Sequence, residues 1–229
     1  NNQQSDGGFS YWKNGYSSFY LTLHTIDTMN NLFLAGFEIN QNSLNGAANY
    51  LYSRITTDRD LYQDKNTVIL TAYTLFKLSN FPLDGALRQK IIEIAKDDLF
   101  LGEKVSNGSL SYLAILLTKG FDSSLKNKVF NILDNRIDID SRGAFLETGE
   151  NVVWQYYETP IKNTALYLKA QVADKREKPI LDKVLRWLLN SKKKDGAWGS
   201  TNNTISVIEA LTDFLQWKRE TESNFSLEL

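Results

Sequence analysis

The sequence predicts an all-α protein built from helical hairpins packed in two layers. Three observations lead there. Prolines are scarce, 3 in 229 residues. Apolar residues recur at helical spacing over most of the length. The helices so marked are of two kinds that alternate along the chain.

The periodicity marks nine helices, at roughly 17–36, 42–55, 66–80, 84–98, 106–119, 123–136, 159–173, 178–193 and 201–218. One kind is apolar nearly all round. Val68, Ile69, Leu70, Ala72, Tyr73, Leu75, Phe76 and Leu78 are broken only by Thr67, Thr71 and Thr74, and Leu110 with Tyr112 to Leu117 reads alike. A helix without a polar face must be surrounded by protein. The other kind has one wet face. Leu87, Ile91, Ile94 and Ala95 oppose Arg88, Lys90 and Glu93, and Ile180, Leu181, Val184, Leu185 and Leu188 oppose Lys178, Asp182 and Lys183. Alternation of the two implies concentric layers, with the apolar set inside. Leu70, Leu113, Leu166 and Ile208 are therefore expected in the core, and Lys90, Lys126 and Lys183 on the outside.

The inner helices open on similar residues, Ser17-Ser18, Asn66-Thr67, Asn163-Thr164 and Asn203-Thr204, types that cap helix N-termini. Taking Ser18, Thr67, Ser109, Thr164 and Thr204 as equivalent gives steps of 49, 42, 55 and 40 residues, one hairpin each. A second repeat lies ahead of two inner helices. Asp6-Gly7-Gly8-Phe9-Ser10 returns 189 residues later as Asp195-Gly196-Ala197-Trp198-Gly199-Ser200. Asp-Gly makes a tight turn in which glycine accepts positive φ, and the aromatic beyond it can pack on the layer below.

Composition narrows the function classes. Net charge is −1 with 23% charged residues, so no basic surface for nucleic acid and no acidic tail stands out. The tightest basic run, Lys192-Lys193-Lys194, ends a helix, where cations offset the dipole. No apolar run approaches the roughly 20 residues of a membrane span. With no cysteine, the segment holds no disulfide, thiolate zinc site or cysteine nucleophile. The opening Asn1-Asn2-Gln3-Gln4 reads as a cut inside a larger protein, so 1–229 is expected to be one domain of a multidomain chain.

An Asp-Gly-x-aromatic-Gly-Ser-Thr turn leading into an apolar helix resembles the terpenoid-cyclase-like α/α toroids, and among them the thioester domains of the alpha-2-macroglobulin and complement family. Three stretches carry the likeness: Gln4 to Trp12 with Ser18-Phe19-Tyr20-Leu21-Thr22, then Asn66 to Tyr73, then Asp195 to Leu211. The resemblance implies an α/α toroid, incomplete here against the family's six hairpins. It further implies a secreted, periplasmic or cell-surface protease trap, that is, an endopeptidase inhibitor. Its partners would be target proteases and neighbouring β-sandwich domains of the same protein. The family's reactive Cys-x-Glu-Gln segment lies before the first Gly-rich turn and has no counterpart here. The histidine that assists some relatives is also missing from the connection at 56–65. No catalytic, cofactor or metal residue carries over, and the segment itself is read as no enzyme.

His24 is the only histidine and lies inside the first inner helix, where a packed, hydrogen-bonded role is expected. Asp138-Ile139-Asp140-Ser141 faintly resembles the acid motif of class II terpenoid cyclases but lacks its last aspartate, and reads as a solvated turn. Glu147, Glu150 and Glu158 flank Trp154, Tyr156 and Tyr157 on the connection 137–158. Such acids beside aromatics would suit a carbohydrate-active toroid; the alternative, which we favour, is a loop of solvated acids. A third reading is an interaction scaffold without a thioester. Tyr11, Trp12 and Tyr16 cluster after the first turn, either as a plug for the mouth of the toroid or as part of an apolar wall that meets a neighbouring β-sandwich domain. Finally, five inner helices where relatives have six would leave two apolar flanks, one at Phe19, Leu23 and Ile26 and one at Ile205, Ile208 and Leu211. These are expected to close on each other or to meet a second copy as a homodimer.

Overall fold

The computed structural model describes residues 2–78, 85–149 and 157–218. It is all-α apart from one short hairpin. The order is α1 (Phe19–Leu34), α2 (Gln41–Thr57), α3 (Arg59–Gln63), α4 (Lys65–Phe76), α5 (Gly85–Lys96), a π-helical turn at Phe100–Lys104, α6 (Asn107–Leu117), α7 (Ser123–Asp134), β1 (Ile137–Asp140), β2 (Gly143–Leu146), α8 (Pro160–Ala173), α9 (Ile180–Asn190) and α10 (Thr201–Lys218). These fall into two compact units, Asn1–Phe100 and Leu101–Leu229.

In the first unit α1 packs on α4, and α2 lies against both, with α5 on α4. Nine residues of α4, Thr67 to Leu75, are buried. Its threonines do not spoil that core, because they bond locally: Thr71 Oγ1 donates to Thr67 O at 2.8 Å, and Thr67 Oγ1 to Asp64 at 2.6 Å. The amphipathic α2 and α5 bury one stripe each, Leu44, Ala48, Leu51 and Ile55 in α2 and Leu87, Ile91, Ile94 and Ala95 in α5. Each fully buried leucine or isoleucine contributes about 1.5–3 kcal/mol.

In the second unit α8 packs between α6 and α10, while α7 covers α6 and α9 covers α8 and β2. Every residue of α6 is buried. Thus each unit has apolar helices in contact with one another and one-faced helices behind them, as the alternation of sequence patterns requires.

The N-caps of the five apolar helices are Ser18, Asp64, Ser106, Thr159 and Ser200. Four of the five expected starting points therefore move back by three to five residues, because Thr67, Ser109, Thr164 and Thr204 already lie within their helices. The connection at 56–65 contains α3, capped by Asp58. The connection after α7 is no plain loop: Ile137–Asp140 pairs antiparallel with Gly143–Leu146.

Side-chain placement departs from expectation in three ways. Leu70, Leu113 and Leu166 are buried, but Ile208 is 53% exposed. α10 is apolar on several sides, yet only Asn203, Val207, Ala210 and Phe214 of it are buried, leaving Ile205, Ile208 and Leu215 exposed. The flank at Phe19, Leu23 and Ile26, expected to need a second flank or a second copy to cover it, is already buried. Lys183 is exposed, whereas Lys90 and Lys126 are half-buried. Lys90 lies over the Tyr62 ring at 4.5 Å, and Lys126 bonds Asp174 at 2.7 Å.

Candidate functional site

The two Asp-Gly turns share one backbone design. In the first, Gly7 N donates to Gln4 O at 3.0 Å, Gln4 N to Gly8 O at 2.8 Å, and Gly8 N to Asp6 Oδ1 at 2.9 Å. In the second, Gly196 N donates to Lys193 O at 3.0 Å, Lys193 N to Ala197 O at 2.8 Å, and Ala197 N to Asp195 Oδ1 at 3.0 Å. Gly7 (φ 89°), Gly196 (86°) and Gly199 (87°) occupy the left-handed region, and Gly8 does not.

Each turn is then clasped to the helix that follows. Phe9 N donates to Thr22 Oγ1 at 2.7 Å and Trp198 N to Thr204 Oγ1 at 3.1 Å. Each threonine hydroxyl in turn donates to the carbonyl four residues back, Ser18 O and Ser200 O. A third clasp, missed in the sequence, joins β2 to α8. Leu146 N donates to Thr164 Oγ1 at 2.9 Å, and that hydroxyl donates to Pro160 O at 2.6 Å. It too follows an aspartate turn, in which Asp140 Oδ1 accepts from Arg142 N and Gly143 N. The signal was present as Asp140-x-x-Gly143, but no Asp-Gly pair flagged it. Asp138 and Asp140 are thus hairpin residues, and Asp140 is held below the usual carboxylate range by bonds from Arg142, Gly143 and Trp187 that outweigh its desolvation.

Between clasp and helix the first turn carries an insertion. The cap Ser18 comes nine residues after Phe9, while Ser200 comes two residues after Trp198. The extra residues form a loop with Tyr11 at 65%, Trp12 at 79% and Tyr16 at 100% exposure. The loop is closed at its base by the Phe9–Ser18 bridge, and Ser10 Oγ and Gly15 N both donate to Trp12 O. This is the large exposed aromatic cluster expected from the sequence.

A polar junction lies in the second unit, where helix N-termini meet. Glu158 is buried and accepts from Ser106 Oγ at 2.5 Å and from Gly108 N, so it caps α6 from a distant part of the chain. Asn107 Nδ2 and Asn163 Nδ2 both donate to Glu147 O, at 2.6 and 3.2 Å. Asn203 Oδ1 accepts from Thr159 Oγ1 at 2.8 Å, and its Nδ2 donates to Trp198 O. Burial drives the Glu158 carboxyl above the ordinary glutamate range, only partly offset by bonds from Ser106, Gly108 and Asn163 and by the Lys162 charge.

Beside the junction is a cleft of about 480 Å³ with Glu103, Asp138, Glu147, Asn107 and Arg136 on its walls. Arg136 donates to the carbonyls of Leu101, Gly102 and Val105 and to Asn107 Oδ1. The expectation of solvated acids on this connection needs correcting. Glu147 is exposed at the cleft, but Glu158 is committed to α6. Glu150, Trp154 and Tyr156 lie outside the described residues. Among the described residues no three carboxylates or histidines gather as a metal site, and no helix is long and apolar enough to cross a membrane.

The family model of the A-macroglobulin TED domain matches residues 1–214. Among solved structures, native alpha-2-macroglobulin from Escherichia coli, spanning domain MG7 to the C-terminus, is 16% identical with a TM-score of 0.61, over 94% of this chain and 32% of that one. The native conformation of the E. coli protein is 19% identical with a TM-score of 0.61, over 93% and 13%. The elastase-activated form is 19% identical with a TM-score of 0.62, over 94% and 18%. At such identity the likeness is one of fold, and the chain spans about a third or less of each of these structures. Comparison with curated proteins finds no match. The all-α, α/α class expected from the turns and the helix alternation is that of the matched domain, and with the family model covering all but the last residues, the chain belongs to the A-macroglobulin TED domain family.

Proposed function

We propose that this chain is part of the thioester-type domain of a protease-trapping macroglobulin, acting as an adapter that shields and then presents an acyl site without making or breaking bonds itself. The observation that carries the reading is the family match over residues 1–214. This sequence has no cysteine, so a thioester in the full protein would be built from residues outside it. The loop with Tyr11, Trp12 and Tyr16 is where we place the contact with a neighbouring β-sandwich domain of the same protein. The location that goes with the role is extracellular, periplasmic or on the cell surface.

The test is to mix the full-length protein with an endopeptidase and follow residual activity and mass. A trap loses protease activity toward large substrates and migrates as a larger complex after cleavage. Unimpaired protease with no complex would overturn the reading. The isolated chain should hydrolyse neither peptides nor glycans; glycan turnover abolished by Glu147→Gln would favour a carbohydrate-active enzyme instead. For the isolated chain we also expect concentration-dependent pairing through Ile205, Ile208 and Leu215 of α10, read by light scattering.

A further inference from the structure

The chain has three Asn-Gly pairs, Asn14-Gly15, Asn45-Gly46 and Asn107-Gly108. An asparagine followed by glycine can lose its side-chain amide without an enzyme. The glycine nitrogen attacks the asparagine Cγ, and no Cβ on the glycine stands in the way. Structure sets two conditions. The side-chain amide must be free, and ψ of the asparagine must be able to swing until the two atoms meet.

Asn107 fails the first condition. It is buried, its Nδ2 donates to Glu147 O at 2.6 Å, and its Oδ1 accepts from Arg136 at 2.8 Å. The Gly108 amide is itself engaged by the Glu158 carboxyl. Asn45 fails the second. Its side chain is exposed, but it lies within α2, where helical hydrogen bonds on either side hold ψ. The next peptide is pinned as well, since a Cβ on Gly7 would stand 2.3 Å from Gly46 O. Asn14 meets both conditions. It is exposed, and among the described residues no hydrogen bond engages its side chain. It sits in a turn outside any helix, at φ 63°, a left-handed conformation that asparagine tolerates better than most residues with a side chain. The bond that closure must break is Gly15 N to Trp12 O, at 2.9 Å. Breaking it strands no acceptor, because Trp12 O also accepts from Ser10 Oγ at 2.6 Å.

We propose that Asn14 is a site of spontaneous deamidation, singled out by the fold from the three Asn-Gly pairs. The Gly15 nitrogen loses its proton to solvent base and bonds to Asn14 Cγ. The Cγ–Nδ2 bond breaks, and Nδ2 takes up a proton and leaves as ammonia. The product is a five-membered succinimide, which water opens at either carbonyl carbon. Opening at Cγ restores the main chain with an aspartate at position 14. Opening at the main-chain carbonyl leaves isoaspartate, whose backbone runs through the former side chain. Either product carries a carboxylate in place of a neutral amide, and that charge lands between Trp12 and Tyr16 on the exposed loop. The chemistry is local to the turn and independent of the protease-trap reading.

The test incubates the chain in mildly alkaline buffer, folded in one sample and unfolded in urea in another. Peptides spanning the three pairs are quantified by mass spectrometry, and isoaspartate is labelled with an isoaspartyl methyltransferase. In the folded chain Asn14 should convert at least about tenfold faster than Asn45 or Asn107, whose reaction must wait for local unfolding. In urea the three rates should converge, and the products at position 14 should be a mixture of isoaspartate and aspartate. Persistence of intact Asn14 in the folded chain, faster conversion at another pair, a preference for Asn14 that survives in urea, or aspartate without isoaspartate would each overturn the proposal.

Discussion

The turns at Asp6 and Asp195 use the same four backbone hydrogen-bond positions but are anchored by different means. The first lies backbone on backbone, since a Cβ at Gly7 would stand 2.3 Å from Gly46 O of α2, and Gln3 Nε2 ties Gly7 O to Ser43 O of that helix. Its aromatic, Phe9, is only half-buried. The second is anchored by a side chain. Trp198 is 5% exposed and donates from Nε1 to Leu188 O at 2.7 Å, while a Cβ at Gly196 would meet nothing closer than Lys192 Cε at 3.8 Å. A repeated turn can thus keep its hydrogen bonds while the residue that holds it in place changes.

The comparison predicts unequal costs at equivalent positions. The largest belongs to Trp198→Ala, which empties a buried site and removes the indole bond to Leu188 O, about 3–5 kcal/mol. Phe9→Ala should cost less than half as much. Chemical denaturation of both variants checks the ranking; equal losses would mean that the two aromatics do the same job. For the glycines the order reverses. Gly7→Ala combines positive φ with a clash on backbone and is expected to lose about 3 kcal/mol or more. Gly196→Ala has only the conformational cost, about 1 kcal/mol. A Gly7→Ala protein as stable as Gly196→Ala would show that α2 yields easily at Gly46.

The clasps themselves come next. Thr22 is fully buried, whereas Thr204 is half-buried. Replacing either with valine keeps its shape and strands one backbone N–H. For the buried Thr22 the expected cost is about 1–3 kcal/mol, and for the half-buried Thr204 about 1 kcal/mol. Hydrogen exchange at the Phe9 and Trp198 amides resolves each clasp directly. Accelerated exchange at Phe9 in Thr22→Val, without change at Trp198, is the expected result.

How much of this the sequence showed depends on the length scale of the signal. Buried α4 and α6 were legible because whole helices lacked a polar face, and the Asp-Gly turns because glycine and aspartate are needed locally. The β1–β2 hairpin was not. Ile137-Asp138-Ile139-Asp140 is four residues long, too short for alternation to speak, and its partner Gly143 is fixed by close approach to Lys183 O, a contact between distant segments. Ile208 failed for a related reason: apolarity on every side of α10 says that its faces tolerate burial, not which face has a neighbour. The burial of Glu158 was not legible because its partners Ser106 and Gly108 are about fifty residues away, and a glutamate on a connection carries no mark of burial.

The smallest effect on stability belongs to the insertion that separates the two turns. Tyr11, Trp12 and Tyr16 project from a loop whose base is already closed by the Phe9–Ser18 bridge, so their rings contribute little to the core. Trp12→Ala and Tyr16→Ala should each leave the unfolding midpoint within about 0.5 kcal/mol of wild type, as surface substitutions do. If the loop is a domain contact, the same changes should weaken docking of this chain in the full-length protein, seen as faster protease cleavage at the domain junction. A loss of stability comparable to that of Thr22→Val would instead assign the aromatics to the turn, and the insertion would then be part of the clasp rather than an addition to it.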